Sequence, residues 1–216
     1  MDIFSACLAF GPLGIYLLLL GAINLSSRPL VVTGMRETLA LGLALSGLAI
    51  VGPMQLFMPQ DAAGRFGWGV WLLLIAFYSL SLTLWIMLSR PRIVVYNIGL
   101  DELQPILNDT ATRLDHDSRW AGDSLSMPQM RVQLQLESYP QMRNVSLVAG
   151  AGAQSASGWR RLEAALRGSL RDQPVRPATH GLWLTLCGLS ILAVLALFVA
   201  ENSQSIAQGV ERMLRP

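Results

Sequence analysis

The chain has 216 residues, of which 52% are hydrophobic and 14% are charged, and its formal net charge is +2. This composition is too apolar for a soluble domain of this size, and so small a net charge gives no reason to expect nucleic-acid binding. All 16 side chains in the Lys+Arg total are arginine, which excludes mechanisms that need a lysine amine, such as a Schiff base or a P-loop.

Four apolar runs account for this composition. Each is long enough to cross a hydrocarbon core of about 30 Å at about 1.5 Å per residue. None contains an Asp, Glu, Lys, Arg or His. The sequence therefore predicts an α-helical integral membrane protein with four transmembrane helices. The predicted spans are Phe4–Leu25, Thr38–Phe57, Gly67–Ser89 and Gly181–Ala200.

The ends of these spans divide the chain into four parts. Residues 1–89 carry the first three helices, 90–179 form a soluble domain, 180–200 carry the fourth helix, and 201–216 are a tail. Apolar residues recur at helical intervals in the tail, which predicts an amphipathic segment that continues the fourth helix or lies along the membrane, where it would suit docking to a partner. A frayed terminus is the simpler alternative.

Arginines near the helix ends predict the orientation, because cytoplasmic loops carry the excess of positive charge. Six arginines flank one side of the predicted membrane and three flank the other. We therefore expect a multi-pass cell-membrane protein with both termini outside and residues 90–179 in the cytoplasm. The six are Arg28, Arg36, Arg90, Arg92, Arg171 and Arg176, and the three are Arg65, Arg212 and Arg215.

Small residues punctuate the second apolar run, a pattern that favours close approach of helix backbones. Packing inside a four-helix bundle is the simpler interpretation, and a kinked substrate path is the alternative. Hydroxyls of the third and fourth runs can form hydrogen bonds with the backbone of their own helix, so their presence does not require a substrate path. The candidate packing residues are Gly42, Ser46, Gly47 and Gly52, and the hydroxyl residues are Ser79, Ser81, Thr83, Thr185 and Ser190.

The polar insertion shows the periodicities of a small α+β domain. Alternation of polar and apolar residues predicts strands, and apolar stripes at helical spacing predict helices. The resulting order is β-α-β-β-β-α, the general ferredoxin-like order, with two helices covering one face of an antiparallel sheet. The predicted elements are Ile93–Tyr96, Leu100–Leu114, Leu125–Met127, Arg131–Glu137, Val145–Ala149 and Ser157–Leu170.

A glycine-rich segment between the last strand and the last helix of this domain is a candidate anion site. Gly150 and Gly152 lie in this segment, and Arg160 and Arg161 follow it in the first turns of the helix. Backbone amides and a helix N-terminus can bind an anion, such as the phosphate of a nucleotide. The third glycine of a dinucleotide motif is missing, because Ser155 stands at that position. A flexible β–α connection is the simpler interpretation.

Metal and catalytic chemistry find little support in the sequence. Asp115, His116 and Asp117 could supply three metal ligands, but the segment reads as a solvated turn without further ligands nearby. No motif positions a nucleophile beside a histidine. We therefore predict no metal, no cofactor and no enzymatic activity.

The basic end of the domain suggests a contact with anionic lipid head groups, because it leads into the fourth apolar run. A solvated helix face that follows the positive-inside bias is an equally good interpretation. The candidate head-group residues are Arg90, Arg92, Arg167, Arg171 and Arg176.

The leading functional hypothesis is a non-enzymatic accessory, scaffold or regulatory subunit of a membrane complex. Its cytoplasmic domain would contact a protein partner, a second copy of the chain or the lipid bilayer, and no nucleic acid is expected. Two alternatives stay open. One is a component of a small homo-oligomeric transporter or channel, and the other is a membrane protein that senses an anion or nucleotide.

Overall fold

A computed structural model gives the fold. The structure describes residues 3–54, 69–152, 154–171, 173 and 180–201. Arg176, the loop with Arg65 and the predicted tail beyond residue 201 lie outside the described residues. The described residues fall into two compact units. One lies within Met1–Leu20, Thr38–Leu88 and Leu184–Pro216, and the other within Gly21–Glu37 and Ser89–Trp183.

Helices dominate the described residues, and a small antiparallel sheet accompanies them. In chain order the elements are α1 (Ile3–Leu25), β1 (Leu30–Thr33), α2 (Gly34–Ala49), α3 (Gly69–Leu88), β2 (Arg92–Tyr96), α4 (Leu100–Leu114), β3 (Arg119–Ala121), β4 (Ser124–Met127), β5 (Val132–Tyr139), β6 (Asn144–Ala149), α5 (Ala156–Leu170) and α6 (His180–Glu201). A π-helical turn over Ile50–Met54 follows α2, and a 3-10 turn over Pro140–Met142 separates β5 from β6.

Within the described residues, four helices are long and apolar enough to cross a membrane, as the apolar runs predict. Helices α1, α3 and α6 begin and end within two residues of the predicted spans. Helix α2 differs, because it begins at Gly34 and not at Thr38. Its first turn carries Arg36 and Glu37, so the apolar run alone could not reveal where this helix starts.

The sheet of the second unit has six strands within the described residues, in the order β1-β2-β6-β5-β4-β3. Every neighbouring pair is antiparallel. Strands β3 to β6 form a meander, β2 pairs with β6, and β1 adds to the outer edge of β2. The predicted β-α-β-β-β-α, ferredoxin-like order is therefore incomplete, because it omits β1 and β3. Strand β3 has only three residues, too few to show an alternation.

Strand β1 lies in the connection between the first two apolar helices, far from the predicted soluble domain. Leu30 pairs with Tyr96 and Thr33 pairs with Ile93, so the whole of β1 is in register with β2. The unit that contains the sheet therefore extends beyond the predicted limits of 90–179 and includes Gly21–Glu37.

Helices α4 and α5 cover one face of the sheet and enclose its core. Both helices carry the apolar stripe that the sequence predicts; Leu103 and Leu107 of α4 and the stripe of α5 are buried, while Ile106 and Leu114 at the edge of the α4 stripe are partly buried. A hydrogen-bond contact of 3.2 Å between Thr110 Oγ1 and Ser169 Oγ joins the two helices. The largest buried side chains of this core are Ile93, Ile98, Leu103, Leu107, Leu125, Met127, Leu134, Leu147, Leu162, Leu166 and Leu170.

Pro105 interrupts the hydrogen bonding of α4 without ending the helix. The helix begins at Leu100, so Pro105 lies in its second turn and not in the first turn, where proline is best tolerated. Because proline has no N–H, the carbonyl of Asp101 receives no helical bond from residue 105. Pro105 is exposed, and the buried stripe on the opposite side supports the helix through this position.

Candidate functional site

A polar cluster joins the start of α2 to strand β2. Glu37 lies in the first turn of α2, where the helix dipole favours a carboxylate. Its Oε2 atom forms an ion pair of 2.9 Å with Arg92 Nη2, and its Oε1 atom accepts a hydrogen bond of 2.8 Å from the Tyr96 hydroxyl. We name Gly34, Glu37, Arg92 and Tyr96 the Glu37 cluster. It links two segments that are far apart in the chain.

Gly34 is required for the geometry of the Glu37 cluster. The Arg92 side chain crosses Gly34 so closely that a Cβ atom there would lie 2.8 Å from Arg92 Nε and 3.0 Å from Arg92 Cδ. A larger residue at this position would therefore require the Arg92 side chain to shift. Arg92, predicted from the sequence to contact lipid head groups, is thus held in an ion pair within its own unit.

Two further contacts attach the α1–α2 connection to the sheet unit. Asn97 is completely buried, has a positive φ of 64°, and donates a side-chain hydrogen bond to the carbonyl of Ser26. Arg167 of α5 ion-pairs with Glu163 at 2.6 Å and donates to the carbonyl of Val31 in β1 at 3.5 Å. Arg167, another predicted head-group residue, therefore contacts the edge strand of its own sheet.

The remaining predicted head-group residues are less constrained. Arg90 precedes β2, Arg171 caps the end of α5, and both are exposed. The interaction of these side chains with lipid remains a prediction.

The glycine-rich segment is closed by hydrogen bonds from its own neighbours. Gly150 N donates to Gln133 O at 2.8 Å, and Ser155 N donates to Arg131 O at 2.9 Å. Ser155 caps α5 by accepting a bond of 3.2 Å from Gly158 N. The amides of Gly150, Ser155 and Gly158 therefore already have acceptors within the chain.

Gln154 fastens the same segment to β5. Its side-chain nitrogen donates to Gln133 O at 3.0 Å, and its oxygen accepts from Gln133 N at 3.2 Å and from Trp159 Nε1 at 3.1 Å. Arg160 and Arg161 lie close to Gly152 in sequence and are exposed on α5. Arg160 Nε donates a hydrogen bond of 3.4 Å to Ala156 O of its own helix. Anion binding by Gly150, Gly152, Arg160 and Arg161 thus stays a prediction.

Asp115 of the predicted metal motif is a buried structural residue, only 1% exposed. Its Oδ1 atom accepts from Asp117 N at 2.9 Å, and its Oδ2 atom accepts from Gln129 N at 2.8 Å and from Met130 N at 3.4 Å. The carboxylate therefore ties the turn after α4 to the turn before β5. Across the described residues, no group of three His, Cys, Asp or Glu side chains is placed to hold a metal ion.

The predicted packing residues of α2 occupy different environments. A Cβ atom on Gly42 would lie 2.6 Å from Leu82 Cδ2 of α3, and one on Gly47 would lie 2.8 Å from the carbonyl carbon of Leu8 in α1. Ser46 donates to the carbonyl of Leu43 in its own helix. A Cβ atom on Gly52 would have nothing within 4 Å, so no described neighbour requires glycine there.

Two helix contacts were not anticipated from the sequence. Gly188 of α6 lies against Gly14 and Leu18 of α1, where an added Cβ atom would lie 2.9 Å from Gly14 O. The Tyr78 hydroxyl of α3 donates a 2.7 Å hydrogen bond to the carbonyl of Gly42. Gly11 and Gly14 are three residues apart in α1, a spacing typical of close helix contacts, whereas α6 offers only Gly188 near its middle, so the sequence did not identify the partner helix.

Two hydroxyls of the apolar helices bond to carbonyls of their own helix. Thr83 donates to Ser79 O at 2.8 Å, and Ser190 donates to Cys187 O at 2.9 Å. This is the local bonding that lets a hydroxyl exist in an apolar helix without an external partner.

A cleft between α4 and β3 has a volume of about 430 Å³. One side is the exposed face of α4, and the other is Trp120 of edge strand β3. Trp120 Nε1 donates to Asn108 Oδ1 at 2.8 Å, which fixes the indole ring across the cleft. The lining residues are Asp101, Gln104, Pro105, Asn108 and Trp120.

Comparisons with protein-family models, with curated proteins and with solved structures found no match to this chain.

Proposed function

We propose that the protein is a four-span integral membrane protein that acts as an accessory, scaffold or regulatory subunit of a membrane complex. Its sheet unit lies on the cytoplasmic side and provides the contact surface. The pairing of β1 with β2 supports the four-span part of this proposal, because it constrains the arrangement of the helices independently of their composition.

The pairing of β1 with β2 restricts the membrane topology, because the number of crossings between two connections decides whether they lie on the same side. In a four-span chain, the connections after the first and third helices face the same side of the membrane. Strand β1 lies in the first of these connections and β2 in the third, and the two are hydrogen-bonded neighbours. If either α2 or α3 failed to cross, the two connections would face opposite sides and could not pair. A four-span arrangement satisfies this requirement.

The surfaces of the apolar helices support the same arrangement. Leu73, Phe77 and Leu80 of α3 are each 69% exposed within the chain. Such large apolar side chains are costly in water but are suited to lipid or to helices of a partner.

Several ionic groups of the sheet unit stabilise its own fold. Glu37, Glu102 and Glu163 are each paired with an arginine, and Asp115 binds main-chain amides. By contrast, β5 presents an exposed polar row on the sheet face opposite the helices, formed by Gln133, Gln135 and Glu137. A flat polar surface of this kind is suited to contact with another protein.

The topology is tested with single cysteines introduced into a variant that lacks Cys7 and Cys187. We expect a membrane-impermeant maleimide to label Ser27→Cys and Gln135→Cys from the cytoplasmic side and Gln208→Cys from the other side. Labelling of Ser27→Cys and Gln135→Cys from opposite sides would refute the four-span proposal.

The subunit role is tested by mild-detergent purification of a tagged copy from its native membrane, followed by native mass spectrometry. We expect a stoichiometric foreign protein, and we expect Gln135→Arg, at the centre of the exposed polar row, to weaken its retention. Ala164→Arg, on the exposed face of α5 and outside both the polar row and the cleft between α4 and β3, is the control. A monomer that carries only lipid would contradict this role.

A homo-oligomeric transporter or channel component is the second candidate. It is favoured by the exposure of Ser79 and Ser81 on α3, which neighbouring copies could bring together around water. Cysteines at Ser79, Ser81 and Ser190 test it, because a wet pathway requires a periodic pattern of accessibility, whereas lipid contact gives uniform protection. The anion-sensing alternative requires nucleotide stabilisation that is lost in the double variant Arg160→Ala/Arg161→Ala.

A further inference from the structure

The cleft between α4 and β3 combines an anionic group with an aromatic wall. Asp101, Gln104, Pro105 and Asn108 recur at helical spacing, so they form one exposed stripe along α4. Trp120 faces this stripe from β3. Asp101 is the charged residue of the lining, and no arginine lines the cleft.

The carboxylate of Asp101 differs from its acidic neighbours on α4. Glu102 is ion-paired with Arg143 at 2.9 Å, and Asp109 is ion-paired with Arg113 of its own helix. Among the described residues, no ion pair within 4.0 Å involves Asp101.

Trp120 is held in place before any ligand arrives. Its indole nitrogen donates to Asn108, and its ring packs against the hydrophobic core from the edge of the sheet. A fixed aromatic ring loses little conformational freedom on binding, and the face of tryptophan is the best aromatic acceptor for a cation.

We propose that this cleft binds a basic side chain of a partner protein. The guanidinium or ammonium group pairs with the Asp101 carboxylate, and its carbon stem packs against Trp120 and Pro105. The proposal rests on the proposed subunit role and names the chemistry of one contact that such a subunit makes.

The shape and charge of the cleft favour a single cationic side chain over other occupants. An anion would meet Asp101 without a compensating arginine in the lining. Addition of a partner strand to β3 is disfavoured because this edge strand has only three residues. A volume of about 430 Å³ lies within the usual range for small-ligand sites and accommodates one long side chain.

The experiment uses the purified full chain in detergent, labelled with ¹⁵N-tryptophan, and two small probes. N-acetyl-arginine amide carries the guanidinium, and N-acetyl-citrulline amide has the same shape without the charge. The Trp120 indole signal is assigned as the one that disappears in Trp120→Phe. We expect the arginine probe to shift this signal with a dissociation constant on the order of millimolar. We expect the citrulline probe to bind at least about threefold more weakly.

Two matched variants test the role of the carboxylate. Asp101→Asn removes the charge and is expected to weaken binding of the arginine probe by about three- to tenfold. Asp123→Asn removes an exposed charge outside the cleft and is expected to leave binding unchanged. The other indole signals report whether each variant keeps its fold. The proposal is overturned if the arginine probe causes no shift, if the citrulline probe binds equally well, or if Asp101→Asn binds as the parent does.

The small probes also separate this proposal from the subunit role. If the arginine probe binds but no protein co-purifies, the cleft is supported and the subunit role fails. If a partner co-purifies while the probe leaves Trp120 unchanged, the subunit role stands and the cleft proposal is refuted.

Discussion

Two glycines of α5 should respond in opposite directions to the same substitution. Gly158 lies in the first turn of α5 and is buried, whereas Gly168 is exposed near the other end. A Cβ atom on Gly158 would lie 2.6 Å from Val132 Cγ2 and even closer to the carbonyl oxygen of Met130. A Cβ atom on Gly168 would have nothing within 4 Å. The two sites therefore separate helix propensity from packing.

The magnitudes follow from these contacts. Replacing glycine by alanine in a helix is worth about 0.5–1 kcal/mol when space is free. Overpacking a buried site costs about 1–3 kcal/mol, and the main-chain oxygen of Met130 cannot rotate away as a side chain could. We therefore expect Gly158→Ala to destabilise the sheet unit by about 0.5–2 kcal/mol, and Gly168→Ala to stabilise it by about 0.5–1 kcal/mol.

Native-state hydrogen exchange of the detergent-solubilised chain measures both effects locally. Amides of β5 and β6 should exchange about three- to thirtyfold faster in Gly158→Ala and somewhat more slowly in Gly168→Ala, since a tenfold change corresponds to about 1.4 kcal/mol. Equal protection in the two variants, or stabilisation by both, would show that α5 does not pack against the Met130–Val132 segment as described.

Three further predictions test other contacts. Asp115→Ala removes the acceptor for buried main-chain amides and should lower the free energy of unfolding by about 2–4 kcal/mol, whereas Asp117→Ala should lower it by less than about 1 kcal/mol. Thermal unfolding followed by tryptophan fluorescence measures both variants, and similar losses would contradict the structural role of Asp115. Gly47→Leu should disrupt the contact of α2 with α1 and reduce the yield of folded, monodisperse protein in size-exclusion chromatography. Gly52→Leu is the control and should be tolerated, and equal yields of the two variants would argue against that contact. In the Glu37 cluster, the losses of unfolding free energy caused by Arg92→Gln and Tyr96→Phe should be less than additive when combined, because both side chains act through one carboxylate. A double-mutant cycle should give a coupling of about 0.5–2 kcal/mol, and strict additivity would contradict the shared contact.

Much of the secondary structure could be predicted from the sequence because its signals are local. The limits of α4 coincide with the predicted Leu100–Leu114, since an apolar stripe and two acidic residues at its start mark the helix. Strand β5 shows an unbroken alternation that reflects one buried face and one exposed face. Each of these patterns arises from the periodicity of a single element that has one face against the core, so it can be recognised without knowledge of other segments.

Strand β1 could not be assigned in the same way. Leu30–Thr33 is a β-branched run between a proline and a glycine, so a strand signal exists. Its position between two long apolar helices makes a simple connection the natural interpretation, because four residues cannot form a sheet alone. Only the pairing with β2, distant in the chain, turns this segment into a strand.

The sequence shows the chemical type of each candidate side chain, but the structural role of that side chain depends on neighbours that are distant in the chain. Arg92 near a helix end indicates positive charge at a membrane surface, but its ion pair with Glu37 depends on β1 and Gly34. Asp115 stands in a metal-like triplet, but its role depends on amides that follow β4. No sequence pattern indicated a site at Trp120, because the residues that complete its cleft belong to a helix earlier in the chain.

The position of β1 also links insertion of the helices to completion of the sheet. If the four helices cross a membrane as proposed, β1 and β2 lie on the same side because both α2 and α3 cross, and failure of one of the two would separate the strands. A chain in which one of them failed to insert would lack the edge strand, and Arg92 and Tyr96 would lose their shared acceptor, Glu37. Loss of the β1–β2 pairing and of this ion pair would leave such a chain with a less stable sheet unit. Under the four-span proposal, a complete sheet therefore requires correct insertion of both α2 and α3.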